Sequence, residues 1–139
     1  MSLDIEPLTS SVYLGAMTAA SSTELPVFVA DTRCVVLSVD LVTAASVTGH
    51  TQNYGIGTVR NRGASGTGTT VVAQRATSST GDSITAFSAW PVTTSTTASA
   101  REISPGDTLT FQWSQAGTGP NLTGACVVIH YAVGTGNGI

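Results

Sequence analysis

The chain has no lysine, and the five basic residues among its 139 are arginines scattered from Arg33 to Arg101. Charged residues make up 9% of it, against about 25% in an ordinary soluble domain. With a net charge of −3 and no basic stripe, it offers neither a footprint for nucleic acid nor a polybasic segment for anionic lipid. No run of about 18 apolar residues occurs, because "CVVLSVDLV" is broken by Ser38 and Asp40, so no membrane-spanning segment is expected. The opening "MSLDIEPLTSSVYLGAM" lacks the basic start and long apolar core of a secretory signal, so export by that route is not expected. The two cysteines, Cys34 and Cys126, lie far apart without a CxxC spacing, and neither histidine stands at a ligand spacing from them. A metal site is therefore not expected. Two small buried thiols are the simplest reading of the pair, and a disulfide is the alternative.

Ser and Thr fill more than a quarter of the sequence, and helical periodicity is nearly absent. Short apolar or alternating runs are instead separated by Gly, Pro, Asn, Asp and Ser clusters, the pattern of an all-β domain. The clearest strands are "RCVVLSVDLVTA", "QNYGIGTVRNR", "TTVVAQRA", "SITAFSAWPV", "TLTFQWSQ" and "ACVVIHYAV". In the first, Val35, Leu37, Val39 and Leu41 are expected on one face; in "TLTFQWSQ", Leu109, Phe111 and Trp113 form the apolar face. About eight strands with no helix to cover a sheet imply an antiparallel two-sheet β-sandwich, jelly-roll-like. In that arrangement the first long strand lies beside the last, which makes Cys34 and Cys126 candidate cross-strand neighbours. The expected organisation is an N-terminal arm and lead-in loop at 1–24, a sandwich at 25–133 and a flexible tail at 134–139. Within the arm, Leu3, Ile5 and Leu8 are apolar anchors in a polar segment, candidates for contact with another subunit.

The glycine-rich "RNRGASGTGTT" invites a phosphate-loop reading, but Gly68 is followed by Thr69 and Thr70 rather than by the lysine such a loop needs. A β-branched run follows it instead of a helix, so no dinucleotide fingerprint is present and no cofactor is expected. It reads as a hairpin turn. His50, in "VTGHTQN", and His130, in the last strand, are the only imidazoles, and no nucleophile elbow accompanies either. The acids Asp4, Glu6, Glu24, Asp31, Asp40, Asp82, Glu102 and Asp107 make no suggestive pair for glycoside hydrolysis. The expectation is a protein that is not an enzyme. Of the aromatics, Trp113 and Tyr131 fall in phase with apolar neighbours, which leaves Tyr54 and Trp90 as a candidate carbohydrate-stacking surface.

The order "NYGIGTVRNRGASGTGTTVVAQRAT … ISPGDTLTFQWSQAGTGPNL … VVIHYA" resembles small structural proteins of tailed bacteriophages. The similarity covers roughly 33–132. It implies a virion component, a capsid decoration (cement) protein with a β-sandwich fold that is often set on the head shell as trimers. On that implication the partners are the major capsid protein and further copies of the chain. The location is the outer surface of the capsid, after synthesis in the bacterial host cytoplasm. No catalytic residues come with the family. A fibre or tail-associated receptor- or carbohydrate-binding module is the alternative reading.

Overall fold

Residues 4–135 are described by the computed structural model, with side chains from 7 to 133. Nine strands form in chain order: β1 Asp4–Met17, β2 Glu24–Val29, β3 Cys34–Val42, β4 Tyr54–Asn61, β5 Thr70–Ala76, β6 Trp90–Val92, β7 Glu102–Ile103, β8 Thr108–Ala116 and β9 Leu122–Thr135. Their pairs nest: β1 with β9, β2 with β8, β3 with β6, and β4 with β5, all antiparallel. Rolled up, the nest becomes two sheets, ordered β1-β9-β3-β6, with β7 beside β3, and β2-β8-β4-β5. This is the order of a jelly roll, eight strands in two Greek keys, with the two-residue β7 as an addition.

The core lies between the sheets. Leu109, Phe111 and Trp113 of β8 are fully buried, as their alternation with Thr110 and Gln112 predicts. Opposite them on β4 stand Asn61, Val59 and Gly57, with Gly55 one step further along. The Trp113 ring occupies the space over Gly55, where an added Cβ would lie 1.9 Å from Trp113 Cζ2. Its Nε1–H donates to Pro120 O at 2.8 Å, which fixes the ring and satisfies its only polar group. Val36, Val39, Leu41, Val127 and Ile129 complete the core from the other sheet.

Four expectations are corrected. The segment expected to be an arm is a sheet strand: β1 pairs with β9 from Asp4↔Thr135 to Met17↔Leu122. β2, at the start of the expected sandwich, was not among the expected strands; it is concealed in the sequence by Pro26, which is tolerated because β2 is a sheet edge. In β3 a bulge between Val36 and Ser38 shifts the phase, so Cys34 and Val36 are buried beside Val39 and Leu41 while Leu37 is exposed. The run 83–92 is a strand only at β6; Ile84 makes an isolated bridge with Val47, and 85–88 is a turn. At the C-terminal side, β9 reaches Thr135, and 136–139 lie outside the described residues.

The two sides of the sandwich differ. On one, the chain leaves β6 and joins the other sheet: Gln74 N–H donates to Thr93 O at 2.9 Å, and Ser95 N–H donates to Val72 O at 2.8 Å. There Arg75 stacks 4.6 Å over the Trp90 ring and donates to Asp82 and Pro91 O, closing that seam. On the other side, among the described residues, β1 pairs only with β9 and β2 only with β8. A groove opens between them.

Candidate functional site

Cross-strand partners share a face, so the register defines the outer surface of the β1-β9-β3 layer. Its rows are Pro7–Ala132–Val35, in which Ala132 is covered, then Thr9–His130–Ser38, Ser11–Val128–Asp40 and Tyr13–Cys126–Val42. Within these rows Asp40 supplies the carboxylate and His130 the imidazole. They face each other, Nε2 to Oδ2 at 3.3 Å, while Thr9 Oγ1 lies 3.2 Å from His130 Nδ1. Tyr13 is 73% exposed and the bulged Leu37 45%. The face is thus rich in hydroxyls, and its Asp40 carboxylate is hydrogen-bonded within it.

The outer surface of the second sheet is different. Glu24 of β2 receives a two-pronged bond from Arg62, Nε to Oε2 at 2.7 Å and Nη2 to Oε1 at 2.5 Å. Thr110 Oγ1 donates to the same carboxylate, and Arg60 lies at 3.9 Å. The Arg62 bond, followed by Thr110 and the charge of Arg60, holds the Glu24 carboxyl down to about 2, although partial burial works the other way. Arg62 also donates to Gly68 O at 3.1 Å, and Gly68 N–H returns a bond to Arg62 O at 2.8 Å. The glycine-rich segment is therefore a pinned hairpin loop between β4 and β5, with Gly63 and Gly66 at φ +71° and +83°. The Glu24–Arg62 pair spans 38 residues and has no local signature in the sequence.

The two histidines are not brought together. Besides the contacts of His130, His50 Nδ1 accepts from Gln52 N–H at 3.0 Å and Asn53 N–H at 2.9 Å, shaping its own loop. Cys34 and Cys126 are free thiols. β3 does lie beside β9, but Cys34 faces Ile103 while Cys126 faces Val42, eight residues further along. At about 3.3 Å per residue that is roughly 25 Å, far beyond disulfide reach. The aromatic surface is corrected as well. Trp90 is 4% exposed, its Nε1–H donating to Asp82 O at 3.0 Å, so Tyr54 stands half-buried without it. Among the described residues no group of three metal-ligating side chains occurs.

Of the proposed anchors, Leu3 lies outside the described residues, as does the side chain of Ile5. Leu8 is 41% exposed and lines the groove between β1 and β2. That groove has a volume of 340 Å³ and is walled by Phe28, Val29, Tyr131 and Val133, with Cys34 and Asp31 at its margin. Phe28 and Tyr131 meet edge to face at 4.9 Å. Burial, followed by the charge of Asp107, pushes the Cys34 thiol above its usual range. The sequence also concealed Phe87, which is 80% exposed and has φ +61°. An alternating run placed it in a strand, whereas the chain turns there.

No family model matches the chain, and no curated protein does. Among solved structures, a chain from the structure of the infectious bursal disease virus Gx strain is similar at 16% identity and a TM-score of 0.39. The match covers 97% of this chain and 33% of that one, so the chain spans about a third of the length of that neighbour. A likeness at this level transfers neither fold nor role, and the jelly roll stands on the strand register above.

Proposed function

We propose that this protein is a virion structural component, a decoration (cement) protein that binds the assembled head of a tailed bacteriophage and stabilises it mechanically. The resemblance of 33–132 to such proteins suggests the class. The observation that carries the reading is the hydroxyl-rich outer face of β1-β9-β3, whose Asp40 carboxylate already has a hydrogen-bond partner within the face, His130 Nε2 at 3.3 Å. Covering such a face against another protein desolvates hydroxyls that can form new hydrogen bonds, and it leaves the Asp40 carboxylate with a partner. The jelly roll by itself does not decide, since the same fold carries unrelated functions.

In this reading the partner is the major capsid protein, the location is the outer surface of the shell, and the protein performs no catalytic step. Four rows of three residues make about half of the 20–30 residues that a standard interface uses on each side. One copy therefore binds weakly, and a trimer gains the rest by engaging several sites at once. Opening a joint between shell subunits then also requires exposing the face that bridges it.

The test is co-sedimentation with assembled heads that lack this protein. Wild type is expected to pellet with them, and the double variant Ser11→Arg/Ser38→Arg, which sets two charges on exposed positions of the face, is expected to stay in solution with an unchanged melting curve. A control charge on the opposite sheet, Thr70→Arg, is expected to leave binding intact. Equal binding by wild type and the double variant, or no binding by wild type, ends the proposal. Retention on a glycan array that is lost with Tyr54→Ala would favour the receptor-binding alternative.

A further inference from the structure

We infer that copies of this chain associate head to tail, Phe87 of one copy seating in the β1/β2 groove of the next. Two independent features lead there. Phe87 occupies the third position of a four-residue turn closed by Ser88 N–H to Thr85 O at 3.1 Å. That position, with φ +61°, suits glycine, and a bulky side chain there is strained. The backbone is nevertheless held in place: Phe87 N–H donates to Thr43 O at 2.8 Å, and Ala86 N–H donates to Ser46 Oγ at 2.9 Å. The fold thus fixes the backbone that carries an 80% exposed aromatic ring, which lies outside the core. Strain retained at an exposed side chain marks a contact made elsewhere.

The second feature is the groove. Its walls, Leu8, Phe28, Val29, Tyr131 and Val133, are apolar, and its volume is 340 Å³. A benzene-sized group needs about 150 Å³, so one phenyl ring fits with room for the flanking Ala86 and Ser88. The edge-to-face pair of Phe28 and Tyr131 offers aromatic partners of the kind such a ring prefers. Asp31 at the margin meets no like charge, because the segment "SITAFSA" around Phe87 is uncharged.

Knob and groove cannot meet within one molecule. Cys34, at the groove, begins β3, and Thr43, which holds Phe87, follows its last residue. They lie roughly 30 Å apart along that strand. A contact joining different patches on two copies is heterologous, so it propagates into a ring or a filament rather than stopping at a two-fold dimer. One buried phenyl ring makes it weak, and it strengthens wherever copies are held close together.

Sedimentation velocity from micromolar to millimolar concentration tests this in solution, without phage heads, so a failure here is distinct from a failure of head binding. Wild type is expected to self-associate beyond dimers as concentration rises. Phe87→Gly removes the knob and relieves the turn; it is expected to melt higher and to associate at least about tenfold more weakly. Val29→Glu, at a groove position 60% exposed and so harmless to folding, is expected to be monomeric. Mixed together, the two variants are expected to form a one-to-one complex and nothing larger, since one usable knob and one usable groove remain. A wild type that is monomeric throughout, undiminished association of Phe87→Gly, or a mixture that stays monomeric would overturn the inference.

Discussion

Replacing Gly55 with alanine tests the central packing of the sandwich. The added Cβ would lie 1.9 Å from Trp113 Cζ2, with Cε2 and Cη2 of the same ring at 2.5 and 2.6 Å. Those atoms are not the free end of a flexible side chain. Trp113 is fully buried and tied to Pro120 O, so either the indole leaves its site or β4 moves away from β8. The backbone also resists, because Gly55 N–H donates to Thr77 Oγ1 at 3.0 Å and its carbonyl accepts from Thr77 N–H at 2.9 Å. Overpacking of this kind costs about 1–3 kcal/mol, and a clash with a pinned ring belongs at or beyond the upper end. For a domain of this size, 3 kcal/mol lowers the Tm by roughly 10 °C. Thermal unfolding followed by circular dichroism measures it. The companion variant Trp113→Phe removes the atoms that clash, so its cost and that of Gly55→Ala are expected to be sub-additive by more than about 1 kcal/mol in the double variant. A Gly55→Ala protein within about 0.5 kcal/mol of wild type, or strict additivity, would refute this account of the core.

Two further expectations concern ionisation and redox state. Because the Glu24 pKa falls from 4.5 to about 2 on folding, its contribution is complete above pH 4.5 and disappears as pH drops from 4.5 through about 2. The full shift corresponds to about 3 kcal/mol, and solvent screening reduces it to about 1–2 kcal/mol. Asp82, held down by Ser79 and then Arg75, also loses its contribution as acid protonates it, so urea titrations of wild type against Glu24→Gln at pH 6 and pH 3 isolate the Glu24 share. An equally steep acid loss in Glu24→Gln would contradict the ion-pair assignment. For the cysteines, mass spectrometry of unreduced protein is expected to show two free thiols, with Cys126 alkylated before the buried Cys34. An intramolecular disulfide would contradict the register of β3 against β9.

The legible parts of the fold were those governed by strict alternation. Leu109, Phe111 and Trp113 read correctly because β8 runs without a bulge through the centre of its sheet. Alternation failed where the backbone departs from it: the bulge after Val36 inverts half of β3, and the turn at Phe87 interrupts what reads as a strand between Ile84 and Trp90. β2 was hidden by Pro26, whose meaning depends on the strand lying at an edge, a property of topology. The neighbouring of β3 and β9 followed from the jelly-roll expectation, but the position of Cys34 against Cys126 depends on register, which no local pattern encodes. For the same reason the outer rows through His130, Asp40 and Tyr13 became visible only once three strands distant in sequence had been aligned. The groove beside Leu8, formed by two edges facing each other, had no signal at all.

The position of β9 between β1 and β3 also governs how the molecule is made. Neither neighbour can complete its hydrogen bonds until residues 122–135 have been synthesised, more than a hundred positions after β1 begins. At about 5–20 residues per second, the nascent chain carries two unsatisfied strands for several seconds or longer. Completion of β9, rather than any early hairpin, is therefore the moment at which half of this protein snaps shut.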